Sequence, residues 1–282
     1  MKKSKTRGQF RLLRFDLPLA AGICVLGGAL LALGRLPAGR ESLLGFLCAF
    51  FIAGAIVILH ASFEPQGSSD ALDRQPREML PATRGEIFSS IILALLGGIA
   101  GWLISVEVFV VAASFSLLGF LFHLYLKPTG LLANLLVSIA AGTTIVFGGI
   151  IAGGVFGKLV WFFAGISALI TLGAETARAA VGRPVDLKAG FRTQTLMLSR
   201  NAALKVSAAI FLLVVLLSSL PFLLGWLPLV YLSPFLLTDV VLLYSTSKLL
   251  DPAVEQHQRY LRWVYLSAIL ALVFFILVRM VR

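Results

Sequence analysis

Two polar segments of this chain, at about Glu64–Glu86 and Glu175–Arg200, carry acids, basic side chains and glycines at short spacing. In the first segment Asp70 and Asp73 lie three residues apart, so both carboxylates share one face if this stretch is helical. Carboxylate oxygens are ligands that Mg²⁺ prefers, and arginine and lysine side chains bind phosphate groups. The two segments therefore have the character of the mouth of a site, whose residue types could serve a divalent cation and a phosphorylated ligand.

The composition of the chain indicates that these segments belong to a membrane protein. Hydrophobic residues make up 59% of the 282 residues, charged residues 13%, and the mean hydropathy is +0.97. A soluble domain carries about 25% charged residues, and a bilayer span needs about 20 predominantly apolar residues. Nine runs are predicted as transmembrane helices: Leu17–Leu33, Leu43–Ser62, Ile87–Ile104, Val108–Leu126, Leu131–Ile151, Leu159–Gly173, Ala202–Leu220, Phe222–Tyr244 and Tyr260–Val278.

The basic residues predict the orientation of these helices. With nine spans, the N-terminus and the segments after spans two, four, six and eight share one side, which holds 19 of the 24 Lys and Arg residues. Positively charged segments remain on the cytoplasmic side. We therefore expect an all-α bundle in the cell membrane, a single domain over residues 1–282, with a cytoplasmic N-terminus and a central cavity open to that side. Topogenic charge and anionic lipid account for the net charge of +11 without nucleic acid.

The cysteines and histidines of the chain are not predicted to form a site, and the role of Asp239 is left open. Cys24 and Cys48 fall within apolar spans and are expected to pack there. The three histidines are scattered and make no metal trio by spacing. Asp239 lies at membrane depth, where an ionisable group usually faces a cavity or a partner. It could also lie beside a helix bend behind Pro234.

Four stretches carry polar residues whose order and spacing match a known pattern. They contain Asp73, Pro81, Gly85 and Ile87; Asp186, Gly190 and Thr193; the segment from Tyr125 to Asn134; and the segment from Asp251 to Arg262. Together they resemble the UbiA superfamily of intramembrane prenyltransferases, and within it the archaeal-type geranylgeranylglyceryl phosphate geranylgeranyltransferases. The resemblance covers nearly the whole chain, and the predicted count of nine helices agrees with it.

The chain departs from this family pattern at four aspartate positions of the two motifs. Without a gap, two aspartate positions of the first motif fall on Gln66 and Ser69, and two of the second fall on Ala179 and Gly182. The paired acids of the family are therefore absent, and Asp70 beside Asp73 offers a substitute pair.

The resemblance implies an enzyme that transfers an isoprenyl chain from its diphosphate to a lipid or aromatic acceptor, with Mg²⁺ as the cofactor. It implies catalytic roles for Asp73 and Asp186, and a metal site drawn from Asp70, Asp73, Glu175 and Asp186. The substrate-binding residues implied are Arg74, Arg77, Arg84, Lys127, Asn134, Arg178, Lys188 and Arg192.

Simpler explanations of these residues stay open at this point. Asp70 and Asp73 could cap a solvated loop. Asp186 could be a helix N-cap or an ion-pair partner of Lys188 or Arg192, and the basic substrate-binding residues could serve membrane topology alone. The chain could also be a non-catalytic relative that binds an isoprenoid or serves as a membrane-complex subunit. A small transporter is less favoured, because the polar residues concentrate in the cytoplasmic segments rather than at the midplane.

Overall fold

A computed structural model describes residues 16–37, 39–62, 84–122, 131–154, 156–188, 199–251 and 257–281. Within these ranges the chain forms helices and no strand, which confirms the all-α prediction. The long helices are α1 (Asp16–Leu33), α2 (Gly39–Ser62), α3 (Arg84–Trp102), α4 (Val106–Leu121), α5 (Leu131–Ile151), α6 (Lys158–Lys188), α7 (Arg200–Ser218), α8 (Leu232–Leu250) and α9 (His257–Val281). A short helix, Leu220–Leu223, and a 3₁₀ turn, Leu229–Tyr231, lie between α7 and α8.

Eight of these helices are long and apolar enough to cross a membrane, and the ninth, α4, is a shorter apolar helix. Many large apolar side chains are exposed, among them Leu216 at 72%, Leu223 at 78% and Phe88 at 64%. Exposed apolar surface on this scale is unfavourable in water, whereas lipid tails solvate it. The protein is therefore an integral membrane protein.

The helices divide into two compact units, and the first contains α2, α3, α4 and the start of α1 as far as Leu26. Helices α2 and α3 pack closely at Gly97, where a Cβ atom would come within 2.7 Å of Ile52 Cγ1 and 3.1 Å of the Cys48 carbonyl oxygen. Ser90 Oγ donates a hydrogen bond of 2.8 Å to the Ala55 carbonyl oxygen. Small residues and a short interhelical hydrogen bond thus hold this unit together, as is usual where lipid removes the hydrophobic driving force.

The second unit contains the end of α1 from Gly27 and helices α5 to α9. Its α5–α6 contact depends on Gly142, whose added Cβ would lie 2.6 Å from the Ala164 carbonyl oxygen. At Gly28 an added Cβ would overlap the Ile145 carbonyl oxygen, so the backbones of α1 and α5 are in direct contact there. Ser207 Oγ on α7 donates 2.7 Å to the Gly173 carbonyl oxygen on α6. These contacts fix α6 against its neighbours.

Several predicted helix boundaries were wrong. The predicted eighth span began at Phe222, but Gly225 has φ 64°, and the amides of Trp226 and Leu227 both donate to the Pro221 carbonyl oxygen. This turn separates α7 from α8, which therefore starts only at Leu232.

The second error concerns α6, which was expected to end at Gly173 and continues to Lys188. Ala174, Ala177 and Ala180 are fully buried on one face, and alanine is the best helix former. The polar residues Glu175 and Arg178, expected in a loop, therefore lie on a helix. Likewise Gly85 and Glu86 lie in the first turn of α3 rather than in a loop.

Candidate functional site

The predicted site residues fall into three groups according to what the structure describes. Six lie outside the described residues: Asp70, Asp73, Arg74, Arg77, Lys127 and Arg192. Three lie on helices without described side chains: Arg84 opens α3, and Asp186 and Lys188 belong to the last turn of α6. The remaining three are Asn134, Glu175 and Arg178. The roles of all these residues in the site remain predictions.

Glu175 and Arg178 form an ion pair on α6. Three residues separate them, so they lie one turn apart on the same face, and Arg178 Nη1 donates to Glu175 Oε1. The Glu175 side chain is 17% exposed and that of Arg178 is 35% exposed. The carboxylate is thus mostly enclosed, while the guanidinium is the more accessible member of the pair.

A third side chain, Tyr265 on α9, completes this group. Its hydroxyl donates to Glu175 Oε1 at 3.3 Å, and its ring centroid lies 5.7 Å from Arg178 Cζ. Tyr265 packs against the buried core that includes Ala174, Ala177 and Leu261. Burial anchors the ring, and the ring in turn offers its face to the guanidinium, an arrangement that attracts a cation.

The sequence analysis did not identify Tyr265. It lies within an apolar run, and no spacing in the sequence relates it to Glu175, which is 90 residues earlier. Only the packing of α9 on α6 brings the two side chains together.

Asn134 lies on α5, in the second unit, and its carbonyl oxygen accepts a 2.6 Å hydrogen bond from Ser138 Oγ. The side chain is partly buried in the first turn of the helix, at the end nearest the predicted Tyr125 to Asn134 motif. The substrate-binding role of Asn134 stays a prediction.

Asp239 on α8 has a partner at membrane depth. Ser218 Oγ, at the end of α7, donates a 2.7 Å hydrogen bond to Asp239 Oδ2. Polar groups removed from water are retained where they are hydrogen-bonded. The structure thus shows a partner for Asp239, one that connects α7 to α8.

No cluster of three or more His, Cys, Asp or Glu residues occurs among the residues that the structure describes. Of the four predicted metal ligands, only Glu175 has a described side chain, and its carboxylate binds Arg178 and Tyr265. A magnesium site would thus depend on the acids outside the described side chains.

Comparisons with known proteins give a consistent result. The family model of the UbiA prenyltransferase family matches residues 21–269. A digeranylgeranylglyceryl phosphate synthase from Thermococcus sibiricus is 27% identical over 92% of this chain and 92% of its own length. The enzyme of the same name from Thermococcus kodakarensis is 28% identical over 94% of this chain and 95% of its own length.

Solved structures share the fold. The apo structure of a UbiA homologue from Aeropyrum pernix K1 matches with a TM-score of 0.76 and 14% identity, covering 95% of this chain and 99% of that chain. A UbiA homologue from Archaeoglobus fulgidus bound to GPP and Mg²⁺ matches with a TM-score of 0.62 and 15% identity, covering 95% of this chain and all of that chain.

Proposed function

The chain belongs to the UbiA prenyltransferase family and is a prenyltransferase, and on that premise we propose that it transfers a geranylgeranyl group to geranylgeranylglyceryl phosphate. The observation that carries this proposal is the near full-length similarity to synthases of digeranylgeranylglyceryl phosphate. The non-catalytic alternative is not favoured, because the relatives described above are named as synthases.

The reaction imposes clear demands on the protein. The allylic C–O bond of the prenyl diphosphate breaks and the electron pair leaves with the diphosphate. An acceptor hydroxyl oxygen then bonds to the allylic carbon and releases its proton. Charge on the leaving group must be neutralised by cations placed in advance. Water must be excluded from the allylic cation, which an apolar helical protein achieves.

Magnesium is the proposed cofactor, and it supplies Lewis-acid stabilisation of the leaving diphosphate. The UbiA homologue from Archaeoglobus fulgidus was solved with GPP and Mg²⁺. Asp70, Asp73 and Asp186 are the acids of this chain that would hold it, with Asp70 replacing the acids that the family has at Gln66 and Ser69. The described side chains do not add a metal cluster to this set.

The proposed phosphate-binding residues are the basic and amide side chains named from the sequence. Arginine offers five N–H donors in a fork that matches phosphate oxygens, and lysine a point charge. The set is Arg74, Arg77, Arg84, Lys127, Asn134, Arg178, Lys188 and Arg192.

We propose that the protein lies in the cell membrane with a cytoplasmic N-terminus. The support is the division of 19 against five basic residues between the two sides of the predicted topology.

A direct assay tests the proposed activity. Purified protein in lipid vesicles is supplied with Mg²⁺, geranylgeranyl diphosphate and a panel of acceptors that includes geranylgeranylglyceryl phosphate and an aromatic acid. We expect diphosphate release together with a product carrying two geranylgeranyl groups. Binding of geranylgeranyl diphosphate without turnover on any acceptor would instead identify a non-catalytic relative.

A further inference from the structure

Glu175, Arg178 and Tyr265 contact one another in the second unit. One carboxylate oxygen, Glu175 Oε1, accepts from both Arg178 Nη1 and the Tyr265 hydroxyl, and Arg178 lies over the Tyr265 ring. The guanidinium is therefore held from two directions, by the carboxylate and by the aromatic face. A long side chain that is held in this way loses little further entropy when it binds a ligand.

The depth of this set on α6 is informative. The apolar part of α6 extends from Lys158 to Ala180, so Glu175 and Arg178 lie in its final turns. A charged side chain at such a position needs a partner, and each supplies the other. Their unequal exposure, 17% for Glu175 and 35% for Arg178, leaves the cation as the member that a ligand can reach.

We propose that Glu175 and Tyr265 are positioning residues, which hold the guanidinium of Arg178 in place for the phosphate group of an isoprenoid substrate. This inference rests on the proposed function. It assigns Glu175 to an arginine rather than to the metal site expected from the sequence. It also adds Tyr265, which had no predicted role.

The ligand chemistry agrees with the position of the set. Both substrates of the proposed reaction are amphiphiles, with a phosphorylated head and an isoprenoid chain that enters the apolar region. A cation at the end of the apolar part of α6 meets such a head where the chain begins. The head could belong to the diphosphate donor or to the phosphorylated acceptor, and the experiment below distinguishes them.

A double-mutant cycle tests whether Glu175 acts through Arg178. The variants are Arg178→Ala, Glu175→Gln, Tyr265→Phe and the double variant of the first two. Glu107→Gln, on the exposed first turn of α4, is the matched control. Glutamine retains the size and one acceptor oxygen of Glu175, and thermal unfolding in detergent verifies that each variant is folded.

The measured quantities are the KM values for geranylgeranyl diphosphate and for geranylgeranylglyceryl phosphate, and the Mg²⁺ concentration for half-maximal turnover. Binding of the uncleavable geranylgeranyl thiodiphosphate and of the phosphorylated acceptor, each in EDTA, provides a readout without the metal. We expect Arg178→Ala to raise the KM for one of the two substrates about tenfold or more, with a smaller change in kcat. The substrate affected identifies the source of the phosphate.

Glu175→Gln and Tyr265→Phe should raise the same KM by a smaller factor, leave the Mg²⁺ dependence unchanged, and weaken the same ligand in EDTA. The double variant should be no worse than Arg178→Ala alone. If Glu175→Gln raises the Mg²⁺ requirement and adds its full effect to Arg178→Ala, Glu175 is a metal ligand and the proposal is overturned.

The two proposals fail in different ways. A wild-type protein that neither binds nor transfers isoprenoid overturns the proposed function together with this inference. An active wild type whose Arg178→Ala variant keeps both KM values overturns this inference and removes Arg178 from the phosphate-binding set, while the proposed activity stands.

Discussion

At the scale of single residues, Asp73 and Asp186 carry the strongest chemical expectation, because they are the two acids that coincide with family motif positions. Loss of a metal-ligating carboxylate removes charge stabilisation from the leaving diphosphate. Since about 1.36 kcal/mol corresponds to a tenfold change in rate, Asp73→Ala or Asp186→Ala should lower turnover about a hundredfold or more. Steady-state assays measure this directly. Asp239→Asn is the comparison, and it should affect turnover less, because its carboxylate is bound to Ser218.

Turnover within about twofold of wild type for both aspartate variants would show that the resemblance does not extend to these positions. The acids replaced at Ala179 and Gly182 make this a severe test, since few carboxylates remain to compensate.

A second residue-scale prediction concerns stability. Ser218→Ala removes the hydroxyl that donates to Asp239 and leaves this carboxylate short of a donor. We expect a loss of about 1–3 kcal/mol in the free energy of unfolding, measured by thermal or denaturant unfolding in detergent. The neighbouring Ser219 donates to its own helix at Leu216 and is exposed, so Ser219→Ala should change little. Equal losses for both variants would contradict a specific role of the Ser218 hydroxyl.

At the scale of elements, the close contact of α5 with α6 depends on one missing side chain. In Gly142→Ala the new methyl group would lie 2.6 Å from the Ala164 carbonyl oxygen, so the backbones must separate. Overpacking of this kind costs about 1–3 kcal/mol, and the variant should melt at a lower temperature. Gly165, on α6, has no atom near the position of an added Cβ. Gly165→Ala should therefore be neutral or slightly stabilising, because alanine is the better helix former.

The long helices could be predicted from the sequence, but some of their ends could not. Apolar runs predict the helices, since a bilayer requires a minimum length of apolar residues. The end of α6 was missed because Glu175 and Arg178 look like loop residues, while their mutual pairing and three buried alanines continue the helix. The start of α8 was missed because the turn at Gly225 lies within apolar residues and gives no hydropathy signal.

The candidate site was predictable in its charged members on α6 and unpredictable in its aromatic one. Glu175 and Arg178 could be identified from their position in a polar segment. Their mutual bond follows from their spacing once the segment is known to be helical. Tyr265 enters the site through packing between α6 and α9, which a single sequence does not encode in any local pattern.

At the scale of the whole molecule, the predicted topology places both polar segments on the cytoplasmic side. In a background where Cys24 and Cys48 are replaced by alanine, single cysteines at positions 70 and 186 should react with a membrane-impermeant maleimide only after vesicles of cytoplasm-inside orientation are opened. A cysteine at Gly154, in the turn between α5 and α6, should react before opening. Labelling of positions 70 and 186 from opposite sides would contradict the arrangement.

The distance between two charged side chains on α6 sets the bilayer thickness that this helix matches. Lys158, over the Trp226 ring at 5.0 Å, and Arg178 mark its two charged levels, which at 1.5 Å per residue lie about 30 Å apart. The hydrocarbon core of a bilayer is about 30 Å thick. In a thinner or thicker membrane the helix must tilt or draw one cation into hydrocarbon, a case of hydrophobic mismatch. We expect the KM of the substrate whose phosphate Arg178 binds to be lowest in vesicles of matching acyl-chain length. The KM should rise with both shorter and longer acyl chains, so that bilayer thickness controls the activity of the enzyme.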